Sequence, residues 1–357
     1  MNADEERVAR AIAYARAAPK VELHVHIEGT LEPELVFKLA AKNGVDLAPY
    51  QSVHELRAAY SFTDLQSFLD IYYLGARVLQ DEDDFYELMS RYLAKCRDEH
   101  VVHAEIFFDP QTHLQRRIPF EVFMGGFLRA IRNAQTEFGM SVLLIMCFLR
   151  HLPEEDAITT LNLAKPFVDS IQAVGLDSSE RGFPPHLFQR VYEHARGLGL
   201  DCVAHAGEEG PAEYISEALD LLQCRRIDHG IRCVDDPMVM KRLADARIPL
   251  TVCPLSNLKL GVVAVVAELP LRDMLDAGLC VTINSDDPAY FGGYINDNFE
   301  AVIRAFDFVD QRVIHTLLRN AIQASLLPAA HKLALEQQLD AVQRAPIHET
   351  VAGRLTA

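Results

Sequence analysis

The sequence predicts a single (β/α)₈ barrel, an α/β fold in which eight parallel strands alternate with helices. Eight continuous apolar segments recur along the 357 residues, separated by stretches that include helical patterns. A strand covered on both faces gives such a continuous run, whereas a half-exposed strand alternates apolar and polar residues. A barrel of this length forms one unit, so we predict one domain over residues 1–357.

The predicted strands are short segments rich in aliphatic residues. In chain order they are VELHVH (21–26), VHAEIFFD (102–109), SVLLIMCFL (141–149), FVDSIQAVGLD (167–177), LDCVAHAG (200–207), RIDHG (226–230), IPLTVCP (248–254) and LCVTINSDD (279–287). Segments such as PAEYISEALDLLQ and DPMVMKRLADA lie between strands and have helical periodicity.

One connection is much longer than the others. Residues 27–101 carry several helical patterns, including LEPELVFKLAAKNG and DEDDFYELMSRYLAKCRDEH. We predict that this segment is a helical insertion that caps the barrel mouth. Residues 329–345 are predicted to form an outer helix at the C-terminal end.

Composition narrows the classes of partner. The net charge of −17 repels polyanions, and no basic stripe with interleaved aromatic residues is present, so the sequence argues against nucleic acid. No apolar run is long enough for a membrane span, and the charged N-terminal segment does not have the pattern of a signal peptide. We therefore predict a cytoplasmic protein that binds a small molecule. The sequence is also compatible with a homo-oligomer.

Polar residues at the ends of the predicted strands are the candidate reactive groups, because barrel enzymes place their chemistry at the carboxyl ends of the strands. In the first strand, His24 and His26 point to the same side, since side chains alternate along a strand. The fifth strand ends near His205, the sixth at His229 and the eighth at Asp286. Three of these imidazoles and the carboxylate would match the ligands of a catalytic zinc, which keeps one position open for water.

Each of these signals is weak alone. A His-x-His pair in a strand is more often structural than metal-binding, and an Asp-Asp pair is usually a solvated turn or a helix cap. The coincidence of suitable residues at four strand ends favours the metal site. We interpret the remaining histidines as ordinary, including His54, His100, His103, His113, His151, His194, His315 and His331.

An acid lies close to this site in the HAGEEG segment, residues 205–210. A carboxyl group that is shielded from water beside a metal can have a raised pKa and donate a proton. Glu209 would serve equally as a carboxylate at a helix N-terminus. We prefer Glu208 because its spacing from His205 matches a known pattern.

Together, HVHIEGT, HAGEEG, IDHG and INSDDPAYFGGY resemble the adenosine, AMP and adenine deaminase family of the amidohydrolase superfamily. The resemblance runs from about residue 19 to about residue 330 and includes EIFFDPQTH, CFLRHLPEE and VCPLSN. It is greatest to the bacterial and fungal branch that acts on adenine. The resemblance implies that zinc is bound by His24, His26, His205 and Asp286.

The same resemblance implies the roles of three further residues. Glu208 would protonate the purine ring nitrogen beside the reacting carbon, His229 would orient or deprotonate the attacking water, and Asp287 would bind the imidazole side of the purine. The implied reaction is hydrolysis of adenine to hypoxanthine and ammonia, a step of purine salvage.

Two absent patterns limit the metal chemistry. The fourth predicted strand has no lysine at its end to bridge two metals, since Lys165 precedes it, so we expect one zinc per chain. The H-x-E and P-C-x-x-C pattern of cytidine-type deaminases is also absent, because Leu-Ser-Asn follows Cys253-Pro254.

Two departures from adenosine-specific relatives indicate the free base as substrate. Glu28 stands where those relatives commonly have an aspartate that binds ribose, and we expect it to occupy ribose space. Ser178, Ser179 and Glu180 follow the fourth strand, and we predict that they accept the N–H that free adenine has and adenosine lacks. Adenosine, or adenines substituted on the exocyclic amine, remain alternative substrates, and a catalytically silent purine sensor is the alternative from another class.

Overall fold

The computed structural model describes residues 2–344, and in this part of the chain eight parallel strands form one sheet in sequential order. The strands are β1 Lys20–His26, β2 Val101–Phe108, β3 Ser141–Leu149, β4 Ala173–Asp177, β5 Asp201–Ala206, β6 Arg226–His229, β7 Pro249–Val252 and β8 Cys280–Ile283. Each strand pairs in parallel with the next along the chain. The predicted (β/α)₈ barrel is confirmed.

The helices alternate with these strands and also fill the long first connection. They are α1 Ala3–Ala17, α2 Pro33–Asn43, α3 Val53–Ala58, α4 Leu65–Ala76, α5 Glu82–Asp98, α6 Pro110–Leu114, α7 Phe120–Phe138, α8 Glu154–Ala164, α9 Gln189–Gly197, α10 Ala212–Asp220, α11 Pro237–Asp245, α12 Pro254–Lys259, α13 Leu271–Asp276, α14 Pro288–Phe291, α15 Ile295–Ala305, α16 Gln311–Ala324 and α17 Ala329–Arg344. None of the helices described is both long and apolar enough to cross a bilayer.

The barrel closes between β1 and the segment that follows β8. Asp286 forms a parallel bridge with Val25, its backbone N–H donates to the carbonyl of His24 at 2.9 Å, and its carbonyl accepts from the N–H of His26 at 3.0 Å. The closure of the barrel therefore places Asp286 beside both histidines of β1.

Several strand predictions were too long, and the fourth and eighth deviate most. The apolar run at 167–170 is not strand but part of the 3₁₀ turn Lys165–Ser170, in which Pro166 has no N–H for a sheet and Phe167 stacks against Phe120 of α7 at 5.4 Å. The last strand stops at Ile283, and Asp286 adopts a positive φ of 64° that a regular strand does not contain.

The long first connection has two parts. Helix α5 packs along α7 and against β2, which is the position of a crossover helix in the outer ring. Helix α4 instead reaches the mouth of the barrel, where Leu65, Phe68 and Tyr72 line the cavity described below. The predicted outer helix is present as α17, and residue 345 of that prediction lies outside the described residues.

A small apolar cluster lies among strands β2 to β5 and forms the floor beneath the strand ends. Its members are Phe107, Ile145, Cys147, Ala173 and Val203. The Phe107 ring contacts those of His24 and His26, with centroids 5.0 and 4.9 Å apart. This packing limits the orientations that the two imidazoles can take.

Candidate active site

Four predicted metal ligands converge at the carboxyl ends of the strands. Candidate ligand atoms of His24, His26, His205 and Asp286 all lie within 4.8 Å of one another, and all four residues are buried. His24 Nε2 is 3.2 Å from Asp286 Oδ1, and His26 Nε2 is 3.5 Å from the same oxygen. His26 Nε2 is also 3.2 Å from His205 Nε2.

The donor set and its spacing fit a metal ion. Nitrogen and oxygen ligands at about 2.0–2.2 Å around a tetrahedral zinc stand about 3.3 Å apart, close to the separations observed. His24 Nε2 is buried without a hydrogen-bond partner among the described residues, as expected for a lone pair reserved for a metal.

A hydrogen-bond chain sets the tautomer of His24. The hydroxyl of Thr251 donates to Asp228 Oδ1 at 3.0 Å, so its oxygen is left to accept from His24 Nδ1 at 2.8 Å. With the proton on Nδ1, the Nε2 lone pair faces the ligand cluster. Such outer-shell contacts are a regular feature of histidine metal sites.

Glu208 lies beside this cluster in the turn after β5. Burial, followed by the charges of Asp286, Glu180 and Glu209, raises the pKa of Glu208 well above its usual value. Its Oε2 lies 3.5 Å from His229 Nε2, and that nitrogen lies 3.7 Å from Asp286 Oδ2. A protonated acid and an imidazole thus adjoin the predicted metal position.

Asp287 is buried next to the cluster and lines the same cavity. Burial and the neighbouring Asp286 raise its pKa well above the usual value, so it can carry a proton for a purine nitrogen. A β-carbon at Gly29 would stand 1.9 Å from Asp287 Oδ1. The glycine of the HVHIEGT segment therefore makes room for this carboxyl group.

Glu180 has a different position from the one predicted. Its two oxygens accept the backbone N–H groups of four consecutive residues at 2.7–3.1 Å, which are Gly207, Glu208, Glu209 and Gly210. These bonds occupy the carboxylate, so the geometry does not support Glu180 as an acceptor for substrate.

Glu28 also points away from the described lining of the cavity. Its Oε1 accepts from His113 Nε2 at 2.7 Å, and Arg116 donates to His113 Nδ1 at 2.7 Å, which fixes the proton on Nε2. Burial raises the pKa of Glu28 to about 7. Direct occupation of ribose space by Glu28 is therefore not supported, and His113 is a buried partner of Glu28 rather than an ordinary histidine.

The two serines after β4 differ. Ser178 lines the cavity, and its hydroxyl lies 3.0 Å from Tyr73 Oη of α4 and 2.8 Å from His151 Nδ1. Ser179 donates to Gln66 at 3.1 Å and lines an outer cavity instead. His151, interpreted as ordinary from the sequence, is thus part of a chain that joins α4 to the strand ends.

Two carboxyl groups that line the cavity were not among the site residues predicted from the sequence. Asp109 directly follows β2 and Asp177 ends β4, and both are buried in the cavity lining. Burial and the charge of Glu28 raise the pKa of Asp109, and burial and the charge of Asp109 raise the pKa of Asp177 well above its usual value. The strand-end rule would have found them, because EIFFDPQTH and AVGLD each place an aspartate where a strand stops.

These residues surround an inner pocket of about 30 Å³. Side chains of α4, among them Leu65 and Tyr73, form part of its wall. An outer cavity of about 510 Å³ continues from Leu65, Leu69, Tyr73 and Ser178. The described lining of the inner pocket includes no lysine or arginine.

Comparison with known proteins identifies the family of this chain. The adenosine deaminase family model matches residues 19–342. An adenine deaminase of Cupriavidus necator is 56% identical over 325 residues, which cover 91% of this chain and 92% of that protein. The crystal structure of adenine deaminase from Arthrobacter aurescens is 48% identical, with a TM-score of 0.89 over 92% of this chain and 100% of that one.

A second solved structure contains metal. It is an amidohydrolase from Burkholderia ambifaria with bound zinc, 25% identical, with a TM-score of 0.85 over 99% of this chain and 96% of that chain. The match of the family model to most of the chain, with these similarities and the strand-end cluster, shows that this chain belongs to the adenosine deaminase family of the amidohydrolase superfamily.

Proposed function

We propose that this protein is a zinc-dependent adenine deaminase that converts adenine to hypoxanthine and ammonia, a purine-salvage reaction in the cytoplasm. The observation that carries the proposal is that three of the four clustered residues line one inner pocket together with Glu208 and His229. The similarity to adenine deaminases over nine-tenths of the chain supports the substrate.

The four clustered residues, His24, His26, His205 and Asp286, would hold the metal. Burial lowers the pKa of His26 and lowers that of His205 well below its usual value, so both imidazoles are neutral and available as ligands. When bound, zinc would lower the pKa of water and supply a nucleophile near neutral pH.

The other pocket residues handle the purine. Glu208, which keeps its proton because it is buried among other acids, donates it to the ring nitrogen N1 and makes C6 electrophilic. His229 is uncharged, because burial and His24 lower its pKa to about 3, and its Nε2 is placed to orient the attacking water. Asp287 donates its proton to the imidazole side of the ring.

The charge of the pocket argues against a nucleotide. Phosphate groups are usually bound by arginine, lysine or backbone N–H groups, whereas the titratable side chains in the described lining are carboxyls, histidines and tyrosines. A free base carries no charge that these carboxyls would repel.

Ammonia release from adenine, adenosine, AMP and adenines alkylated on the exocyclic amine tests the proposal. We expect kcat/KM to be highest for adenine by several orders of magnitude. Equal values for adenine and adenosine would overturn the assignment of substrate. Tight binding of adenine without ammonia release, in protein loaded with zinc, would indicate the purine sensor instead.

A further inference from the structure

Two buried carboxyl groups of the inner pocket, those of Asp109 and Asp177, have no role in the proposed reaction. Asp109 follows β2 and Asp177 ends β4, and both residues are at most 3% exposed. The two carboxyl groups lie within hydrogen-bonding reach of each other. Within residues 2–344, Oδ1 of each aspartate has no other hydrogen-bond partner. A buried acceptor that is left unpaired costs about 1–3 kcal/mol, so a ligand that donates a hydrogen bond here is favoured.

The other oxygen of each aspartate is already engaged. Asp109 Oδ2 accepts the hydroxyl of Tyr72 at 3.1 Å, and Asp177 Oδ2 lies 3.5 Å from His26 Nδ1. Asp177 therefore orients a predicted metal ligand, as carboxylates behind metal-binding histidines commonly do. Asp109 is not assigned to orient a metal ligand, so its Oδ1 is the better candidate for binding the substrate.

The purine offers one donor that nothing else in the pocket uses. With C6 at the metal cluster, N1 at Glu208 and the N7 side at Asp287, the N9–H of adenine lies on the edge of the ring opposite C6. Three acceptors were first predicted for this N–H. The oxygens of Glu180 are bonded to backbone, and Ser179 lines the outer cavity. The Ser178 hydroxyl lies in the inner pocket but already contacts Tyr73 and His151. Asp109 lines the same pocket, and its carboxyl group is buried.

We propose that Asp109 is a specificity-determining residue whose Oδ1 accepts the N9–H of free adenine. This inference rests on the proposed function and deepens it. A nucleoside or a 9-alkylated base has no hydrogen to donate at N9 and leaves Asp109 buried and unpaired. A site built around such a hydrogen bond can discriminate by about 10⁴-fold against an analogue that lacks it.

The test compares adenine with 9-methyladenine in the zinc-loaded wild type and in Asp109→Ser. We expect kcat/KM for adenine to fall by about 10²-fold or more in the variant, mainly through KM, because the hydrogen bond to the N9–H is lost. The value for 9-methyladenine should stay the same or rise, because the smaller side chain leaves room for the methyl group. The control Asp169→Ser, which replaces an exposed aspartate, should match the wild type with both substrates.

Equal losses for the two substrates in Asp109→Ser would overturn the inference and indicate a structural role. A loss of one metal equivalent in that variant would also overturn it, since Asp109, His26 and Asp177 are close enough to hold a cation. If the serine variant does not fold, Asp109→Leu keeps a similar shape and removes the acceptor, and adenine must still lose at least about 10-fold relative to 9-methyladenine. A wild type that does not deaminate adenine would instead refute the proposed function.

Discussion

The carboxylate of Glu180 lies against the turn that carries Glu208 and accepts its backbone N–H at 3.1 Å. The same carboxylate also accepts the backbone N–H groups of Gly207, Glu209 and Gly210. One side chain therefore fixes the backbone around the predicted proton donor. A reactive group held by its own main chain can keep the geometry that proton transfer needs.

We therefore expect Glu180→Gln to lower kcat by about 10- to 100-fold and the free energy of unfolding by about 1–3 kcal/mol, because an amide leaves some of these N–H groups unpaired. Steady-state kinetics and urea unfolding measure the two effects. Arg181→Ala removes the next side chain, which is mostly exposed, and should change neither quantity. Normal kcat in Glu180→Gln would show that the turn holds its shape without this carboxylate.

Glu208 itself should affect turnover rather than metal content. Glu208→Gln cannot donate the proton and should reduce kcat by about 10²–10⁴ while zinc remains bound. In the wild type, kcat/KM should fall as the pH rises past the raised pKa of Glu208, because the donor then loses its proton. Glu209→Gln, whose side chain is paired with Arg181 at 3.8 Å and lines the outer cavity, should be nearly silent. The opposite behaviour of the two variants would identify Glu209 as the acid.

Purified protein should contain one zinc per chain. Chelation should remove this zinc, as metal analysis will show, and should abolish activity. The melting temperature of the protein should also fall, because a ligand that binds only the folded state stabilises that state. The double variant His24→Ala and His26→Ala should contain no stoichiometric zinc, whereas His331→Ala, at an exposed position, should keep it. Two tightly held metals in the active wild type would contradict the single site.

Stability in mild acid should depend on His113. Burial and the Arg116 guanidinium lower the pKa of His113 from 6.5 to about 3. Between these values the unfolded chain binds a proton at this residue and the folded chain does not. This group therefore makes the free energy of unfolding fall as the pH falls below about 6.5, by at most about 1.4 kcal/mol per pH unit.

His113→Gln removes the titrating group and should flatten that slope. Urea unfolding at about pH 7.5, 6 and 5 measures the slope, and His54→Gln, which replaces an exposed histidine, should behave like the wild type. The same slope in the wild type and in His113→Gln would mean that His113 does not titrate on unfolding as proposed.

The sequence by itself determined the barrel and the metal cluster. Doubly covered strands must be continuous apolar runs, and alternation along β1 puts His24 and His26 on one side. The carboxyl ends of parallel strands meet at one end of a barrel. The sequence alone therefore predicts that residues far apart along the chain, such as His205 and Asp286, lie close together.

Only the tertiary structure decided which acids face the pocket. Glu180 and Glu28 follow strands, as Asp109 does. Glu180 bonds to a neighbouring turn and Glu28 bonds to His113, whereas Asp109 lines the inner pocket. A strand's pattern sets the direction of a side chain because the pleat repeats every two residues. A loop has no such period, so the direction of a side chain after a strand depends on the hydrogen bonds that neighbouring loops supply.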